Sequence, residues 1–436
     1  MKLVILDPGH FHAALVQKTM IAGIDATVRV YAPDGPDLAD YLRKVESYNA
    51  RATDPTCWNM QVCAGPDFLD RFAHEKAGDL AVISGNNRRK TEYIARAVDA
   101  GYHVLADKPM AIDADGFAAL ELAFAAAERK GVLLYDIMTE RHEITTLLQK
   151  EFSRIPALFG ELCRGTADGP AVTKESVHHF AKLVSGTPVR RPTWFFDVDQ
   201  QGEGLVDITT HLVDLVQWEC FPDAILDGRK DVRIHRARRW PTALTQRQFA
   251  QVTQTPAYPS FLQKDVQGDG SLHVYANGAI DYCIKDIHAR VSVIWNFEAP
   301  DGGADTHQSV MRGTRSTLAI RQGAAQGWAP VLTIEPSGDA GDQAALQPAL
   351  DDALAKMQDR YPGVDAKRVG DVWQVLVPAV FHVGHEAHFG QVMEAFLAYV
   401  ARGYLPEWEV PDMLAKYWTT TQALAIARQT LPRDRR

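Results

Sequence analysis

The sequence predicts an α/β plus α+β chain: an N-terminal doubly wound parallel sheet, then a domain built on an open, mainly antiparallel sheet. Three observations predict it. Up to about residue 137, short continuously apolar segments alternate with helical patterns, as strands covered on both faces by crossover helices must read. Beyond residue 270, strands follow one another through short connections, the mark of antiparallel pairing. The 436 residues, 46% of them hydrophobic, supply enough apolar material for two cores. The expected division is therefore 1–137 and 138–436.

Taken in order, KLVIL, ATVRVY, DLAVIS, YHVLAD and GVLLYD read as the strands of the first part, with helices predicted over 10–22, 37–49, 89–100 and 113–130. Residues 138–270 mix helical and loop patterns. SLHVYA, NGAIDYCI, ARVSVIWNF, HQSVMRG and STLAIRQ then read as strands, with turns expected at Asn277-Gly278 and Asp301-Gly302-Gly303, before helices over roughly 384–402 and 411–430.

Composition excludes several classes of function. A formal net charge of -9 leaves no general footprint for nucleic acid. No apolar run reaches the roughly 18 residues of a membrane span, and MKLVILD lacks the features of a signal peptide, so a soluble cytoplasmic protein is expected. The five cysteines form no CxxC pair and are expected as reduced thiols. His382, His385 and His388 recur every three residues, a spacing that reads as a polar strip at a helix start; no metal is expected.

Three segments carry chemistry. In VILDPGHFHAAL, strand, glycine and helix start follow one another where a doubly wound domain seats pyrophosphate, because turn N–H groups and the helix dipole attract negative charge. The G-x-G-x-x-G positions read Asp7, Gly9 and His12, so only the central glycine is kept, and His10, Phe11 and His12 become candidate wall residues. An acid beyond the second strand would bind an adenine ribose; Asp34 is the candidate, with Arg29 as the alternative that would serve a 2′-phosphate. In residues 79–112, Ser84, Gly85, Asn86 and Asn87 after one strand and Asp107, Lys108 and Pro109 after the next should line the same crevice. In GEGLVDITTHLVDLVQW, Asp207, His211 and Asp214 recur at helical spacing on one face, and a carboxylate one turn before a histidine can hold its tautomer for acid–base work. Either chemistry or an ordinary helix-face pair would give that pattern. Lys174, His178, His179 and Trp194 lead into this segment and are candidates for the substrate cleft.

Together these segments resemble the Gfo/Idh/MocA oxidoreductases, of the glucose-fructose oxidoreductase and inositol dehydrogenase type. Asp107-Lys108-Pro109 stands where that family has E-K-P, Gly202-Glu203-Gly204 with Asp207 and His211 stands at its G-G-G-x-x-x-D-x-x-x-H helix, and Met311–Leu318 is similar to a turn of its C-terminal sheet. The chain looks like a member of a subgroup with a long C-terminal domain. Asp7, His12, Asp107 and Thr91 depart from the family pattern. The resemblance implies an N-terminal Rossmann domain holding NAD, with NADP as the alternative, and a homodimer or homotetramer acting on a ring secondary hydroxyl of a sugar, glycoside or cyclic polyol, a glucoside 3-dehydrogenase type included. It also implies Lys108, Asp207 and His211 as the catalytic set. Two alternatives stay open: a lyase or glycosidase that retains its NAD with no net redox change, and a cofactor sensor without catalysis.

Overall fold

Strands β1 (Leu3–Leu6), β2 (Thr27–Ala32), β3 (Asn59–Ala64), β4 (Leu80–Ile83), β5 (His103–Asp107) and β6 (Leu134–Ile137) form an all-parallel sheet in the order β3-β2-β1-β4-β5-β6. The computed structural model describes residues 1–184, 187–300, 303–337 and 340–429. The first sheet is crossed by helices α1 (His12–Leu15), α2 (Pro36–Ala50), α3 (Phe68–Glu75), α4 (Lys90–Asp99) and α5 (Ala114–Lys130). Because β1 and β4 to β6 are covered on both faces, their residues are almost all buried, as continuous apolar runs require. Local chemistry sets the helix ends. Asp113 accepts the Gly116 N–H to start α5, and Gly131, at φ 65°, closes it.

Helix α6 (Ile144–Ser153) leads into a second, nine-stranded sheet that begins with β7 (Val172–Ala181). A two-residue hairpin, β8 (Leu183–Val184) and β9 (Thr187–Pro188), and helices α7 (Val198–Gln201), α8 (Thr209–Cys220) and α9 (Gly228–Asp231) precede β10 (Val232–Leu244). After α10 (Gln246–Thr253) come β11 (Leu272–Ile284), β12 (Ile287–Glu298), β13 (Thr306–Arg312), β14 (Ser316–Gln322) and β15 (Val331–Pro336). Helix α11 (Ala340–Met357), β16 (Asp365–Val369), β17 (Val372–Leu376), α12 (His385–Arg402) and α13 (Glu409–Gln429) complete the chain. The sheet runs β10-β11-β12-β7-β13-β14-β15-β17-β16, antiparallel at every pair except β12 with β7. The sheet is thus mainly antiparallel, as the sequence predicts.

Several elements differ from the sequence-based expectation. Asn277-Gly278 makes no turn: β11 runs straight through it, because the Asn277 amide donates to the Trp240 carbonyl and the Thr242 hydroxyl while its oxygen accepts the Trp295 N–H, filling an irregularity in the ladder. The expected 10–22 helix shrinks to α1, since Gln17 and Lys18 already bond three residues back and the Gln17 carbonyl is taken by the Trp58 indole at 2.8 Å. Of the other expected turn, Asp301 and Gly302 lie outside the described residues, as does residue 430 of the last helix. The last two helices return to the first sheet: Phe389, Val392, Met393 and Phe396 of α12 and Met413 and Tyr417 of α13 lie in the core that contains β1 to β6. None of the described helices is long and apolar enough to cross a membrane.

Candidate active site

Strand order reverses between β1 and β4, so the turns after β1, β4 and β5 open into one crevice at the strand ends. Backbone packing there is tight. A Cβ on Gly85 would stand 2.0 Å from the Asp7 carbonyl, so only glycine lets the two turns touch, and the His10 N–H donates to the Ser84 carbonyl at 3.2 Å. Asp7, at the first glycine position of the motif, adopts φ 48° and accepts the Tyr93 hydroxyl at 3.0 Å.

Asp107 ties these turns together. Its Oδ2 accepts the Ser84 hydroxyl at 2.9 Å and lies 3.0 Å from His12 Nδ1 and 3.5 Å from His10 Nδ1, while Lys90 donates to its carbonyl at 2.9 Å. Burial alone would raise this carboxyl, yet the imidazoles and Lys90 hold it well below the usual range. Burial also holds His12 well below the ordinary imidazole range, so it serves Asp107 as a neutral donor in the Nδ1–H tautomer. The His12 ring packs against Phe11 and against Phe389 of α12.

Beside this knot lies the predicted catalytic set. Lys108, joined to Pro109 by a cis peptide, is 6% exposed, and its Nζ meets Asp207 Oδ1 at 2.6 Å. Asp207 sits in the turn that enters α8, held close to β11 because a Cβ on Gly204 would meet the Ala276 carbonyl at 2.0 Å. The Asp207 carboxylate also accepts Gln201 Nε2 at 3.1 Å. Burial pushes its carboxyl up, but Lys108 and Gln201 outweigh that and hold it low. The expectation that Asp207 orients His211 needs correction: its oxygens are committed to Lys108 and Gln201, and His211 Nδ1 is buried with no hydrogen-bond partner among the described residues. Burial and the Lys108 charge push the His211 imidazole down to about 4, so it is neutral and free to accept a proton. Asp214 takes no part either, being bound to Arg141 and Lys416.

The β4 turn reaches α7 through Asn86, whose amide donates to Gln200 Oε1 at 2.7 Å, and Asn87, which donates to the Gln201 carbonyl at 2.7 Å. His178 and His179 stand 3.3 and 2.9 Å from Asp305, which also accepts Lys182 at 2.6 Å. Phe180, Phe195 and Trp295 line a small cavity against Gln201 and Asp207, and the His178 ring packs on Trp295 at 5.1 Å.

Other expectations change. Lys174 does not face the cleft: at 1% exposure its ammonium is used up by both Glu219 oxygens at 2.9 Å and the Ser309 hydroxyl at 2.7 Å. Asp34 is exposed at the end of the β2 turn, and the acid that reaches the glycine is Asp37, whose Oδ2 would lie 3.1 Å from a Cβ on Gly9. Trp194, from the segment just before α7, also reaches over Gly9 and donates its indole N–H to Asp37 at 2.7 Å. Arg29 points across the sheet to the Cys63 sulfur at 3.5 Å, away from the crevice. Sequence reasoning missed Asp37, Glu140 and His307, and read His385 only as part of a polar strip. Glu140 lies 3.3 Å from His385 Nδ1, and His307, 3.0 Å from the Ser176 hydroxyl, is pushed down to about 4 by burial. These four come from separate segments and share no local spacing, so the sequence carried no signal for grouping them.

A nicotinamide dinucleotide fits these residues. Gly85 lets the β1 and β4 turns touch and Gly9 lies beneath Asp37 and Trp194, while Asn87 Oδ1, Asp107 Oδ1, His178 Nε2 and His211 Nδ1 are buried polar atoms with no partner among the described residues. Leaving one such atom unpaired costs about 1–3 kcal/mol, and a polar ligand that reached these atoms would remove that cost.

In fold the chain resembles the Gfo/Idh/MocA oxidoreductases: a Rossmann-type parallel sheet followed by a mainly antiparallel nine-stranded sheet. The chain belongs to the family described as the putative oxidoreductase C-terminal domain, whose model matches residues 148–428. It is 54% identical to a putative oxidoreductase from Parabacteroides merdae ATCC 43184 over 98% of this chain and 97% of that one, with a TM-score of 0.95. More distant folds include a levoglucosan dehydrogenase in complex with NADH (12% identity, 98% and 97% covered, TM-score 0.62). Another is KijD10, a 3-ketoreductase from Actinomadura kijaniata in complex with NADP and TDP-benzene (15% identity, 98% and 97% covered, TM-score 0.56). At these identities the likeness is one of fold. No curated protein matches the chain.

Proposed function

We propose that the chain is an NAD-dependent dehydrogenase or reductase acting on a ring secondary hydroxyl of a sugar, glycoside or cyclic polyol. The observation that carries this reading is a neutral, unpartnered His211 beside the buried Lys108–Asp207 pair. When bound, the nicotinamide supplies the hydride acceptor. His211 takes the hydroxyl proton. Lys108 has donors beyond the one it gives Asp207, and it stabilises the negative charge that grows on the substrate oxygen. Asp207 holds that ammonium in place. Phe180, Phe195 and Trp295 pack behind Gln201 and Asp207 and leave room there for no more than a water. Gly9, His10, Phe11, Ser84, Gly85, Asn86, Asn87 and Pro109 would hold the dinucleotide, with Asp107 fixing the turn. Asp37 supports NAD over NADP, because its carboxylate would accept ribose hydroxyls and repel a 2′-phosphate.

The test is direct titration with NAD and NADP, followed by a sugar and polyol screen read by nicotinamide absorbance. Tighter NAD binding with a turnover that depends on Lys108 supports the reading. Absence of binding to either dinucleotide overturns it.

A further inference from the structure

The three strands at one edge of the second sheet place two imidazoles and a thiol together, far from the chemistry described above. His235 lies on β10, Cys283 on β11 and His288 on β12, and one donor atom from each lies within 4.8 Å of the other two. Register explains how they meet. Cys283 and His288 are directly paired across the β11–β12 hairpin, and the β10 ladder shifts between Ile234 and Arg236, so His235 is the extra residue that swings towards them. The side chains of Ile280, Tyr282 and Ile284 enter the core under α8, so Cys283, alternating with them, points to the opposite face.

We propose that His235, Cys283 and His288 form a binding site for a soft-to-borderline divalent cation, of the Zn²⁺ class, that staples the edge strand β10 to the β11–β12 hairpin. The donor set of two nitrogens and one sulfur suits such an ion, with water completing a tetrahedron. Bonds of roughly 2.1 Å to nitrogen and 2.3 Å to sulfur require donors about 3.4–3.6 Å apart, which small side-chain rotations reach from the present separation. Two further observations point to a ligand. His288 Nδ1 is buried without a partner among the described residues, and the His235 and His288 rings lie nearly parallel, 12° apart with centroids at 5.3 Å, although no hydrogen bond joins them there. Cys283 is 6% exposed, and burial raises its thiol while the facing Arg233 lowers it. On binding, the S–H bond breaks, the metal–sulfur bond forms and the proton leaves to solvent. Arg233 opposes a cation at this position. Asp281 is already engaged by Arg236 and Arg290, and Asp286 by Arg164 at 3.7 Å, so the ion is held by its bonds to the thiolate and the two imidazoles and not by a surplus of negative charge.

The test uses tag-free, metal-stripped full-length protein titrated with Co²⁺ and then Zn²⁺. One Co²⁺ per chain should bind with a thiolate-to-cobalt charge-transfer band in the near ultraviolet, and Zn²⁺ should displace it and bleach the band. Cys283→Ser should abolish the band. His235→Gln, at an exposed position that does not threaten folding, should weaken binding at least tenfold while the metal-free unfolding midpoint stays at that of the wild type. His10, His12 and Asp107 also cluster closely, but they contain no sulfur, so uptake there gives no charge-transfer band. A wild-type protein without the band, a band that survives in Cys283→Ser, or unchanged affinity in His235→Gln would overturn the proposal.

Discussion

At the scale of single residues, the site rests on which charges are paired. His211 is held at about 4 against an ordinary 6.5, so its imidazole is neutral throughout the physiological range. Oxidation rates should therefore fall on the acid side only near pH 4, and His211→Asn should lower turnover by roughly 10²- to 10⁴-fold while leaving dinucleotide affinity near wild type. A pH profile breaking near 6.5, or full turnover in the variant, would move the base elsewhere. The same shift has a stability sign. Between pH 6.5 and about 4 the unfolded chain binds a proton at this site that the folded chain does not, so this group's contribution to stability falls as the pH drops through that window. Lys108 makes a second, separable prediction. Because its ammonium neutralises a buried Asp207, Lys108→Met should cost about 3–5 kcal/mol of stability as well as rate. Adding Asp207→Asn should restore much of the stability but none of the turnover. Recovery of both would make Lys108 a structural cation only.

At the scale of elements, what the sequence made legible was whatever is local. Lys108, Asp207 and His211 each sit in a short motif at a strand end or helix start, and the structure brings them to one crevice. The strands buried on both faces were equally readable. By contrast, β3 reads NMQVCA with mostly exposed positions and β7 reads VTKESVHHFA, whose buried lysine is satisfied only by Glu219 and Ser309 from other elements. Neither presents an apolar run. Asp37 and Trp194 meet over Gly9 from 157 residues apart, a tertiary contact that no window of sequence contains. The turns themselves give a prediction at this scale. In Gly85→Ala the new methyl would press on the Asp7 carbonyl, which is backbone and cannot swing aside, so the β1 and β4 turns must separate. Overpacking of this kind costs about 1–3 kcal/mol, and dinucleotide affinity should fall well beyond what that loss explains. Normal affinity in a direct titration would show that the contact between the turns does not shape the crevice.

At the scale of the whole molecule, the reacting groups come from different parts of the chain: Lys108 follows the first sheet, whereas His211 stands on α8 under the second. Their relative position depends on what locks the parts together. Arg141, just beyond β6, donates to both Asp214 oxygens at 2.7 Å on α8 and to Glu409 at 3.0 Å at the start of α13. Lys416 of α13 extends the network, lying 2.8 Å from Asp214 and 2.7 Å from Asp136 on β6. All of these groups are buried. An ion network of this kind is weak evidence of net stabilisation, because desolvation offsets the attraction, but removing one member strands the others. Arg141→Met should therefore destabilise the protein by about 3–5 kcal/mol, and kcat/KM should drop because α8 is then tied to the first sheet through Lys416 alone. The triple variant Arg141→Met, Asp214→Asn, Glu409→Gln, which removes the stranded charges together, should recover most of the unfolding midpoint. If the network positions the site as well as stabilising it, activity in the triple variant should stay low despite that recovery. Chemical denaturation and steady-state rates on the same preparations decide it: wild-type stability in Arg141→Met would remove the network from the account, and full activity in the triple variant would limit it to stability alone.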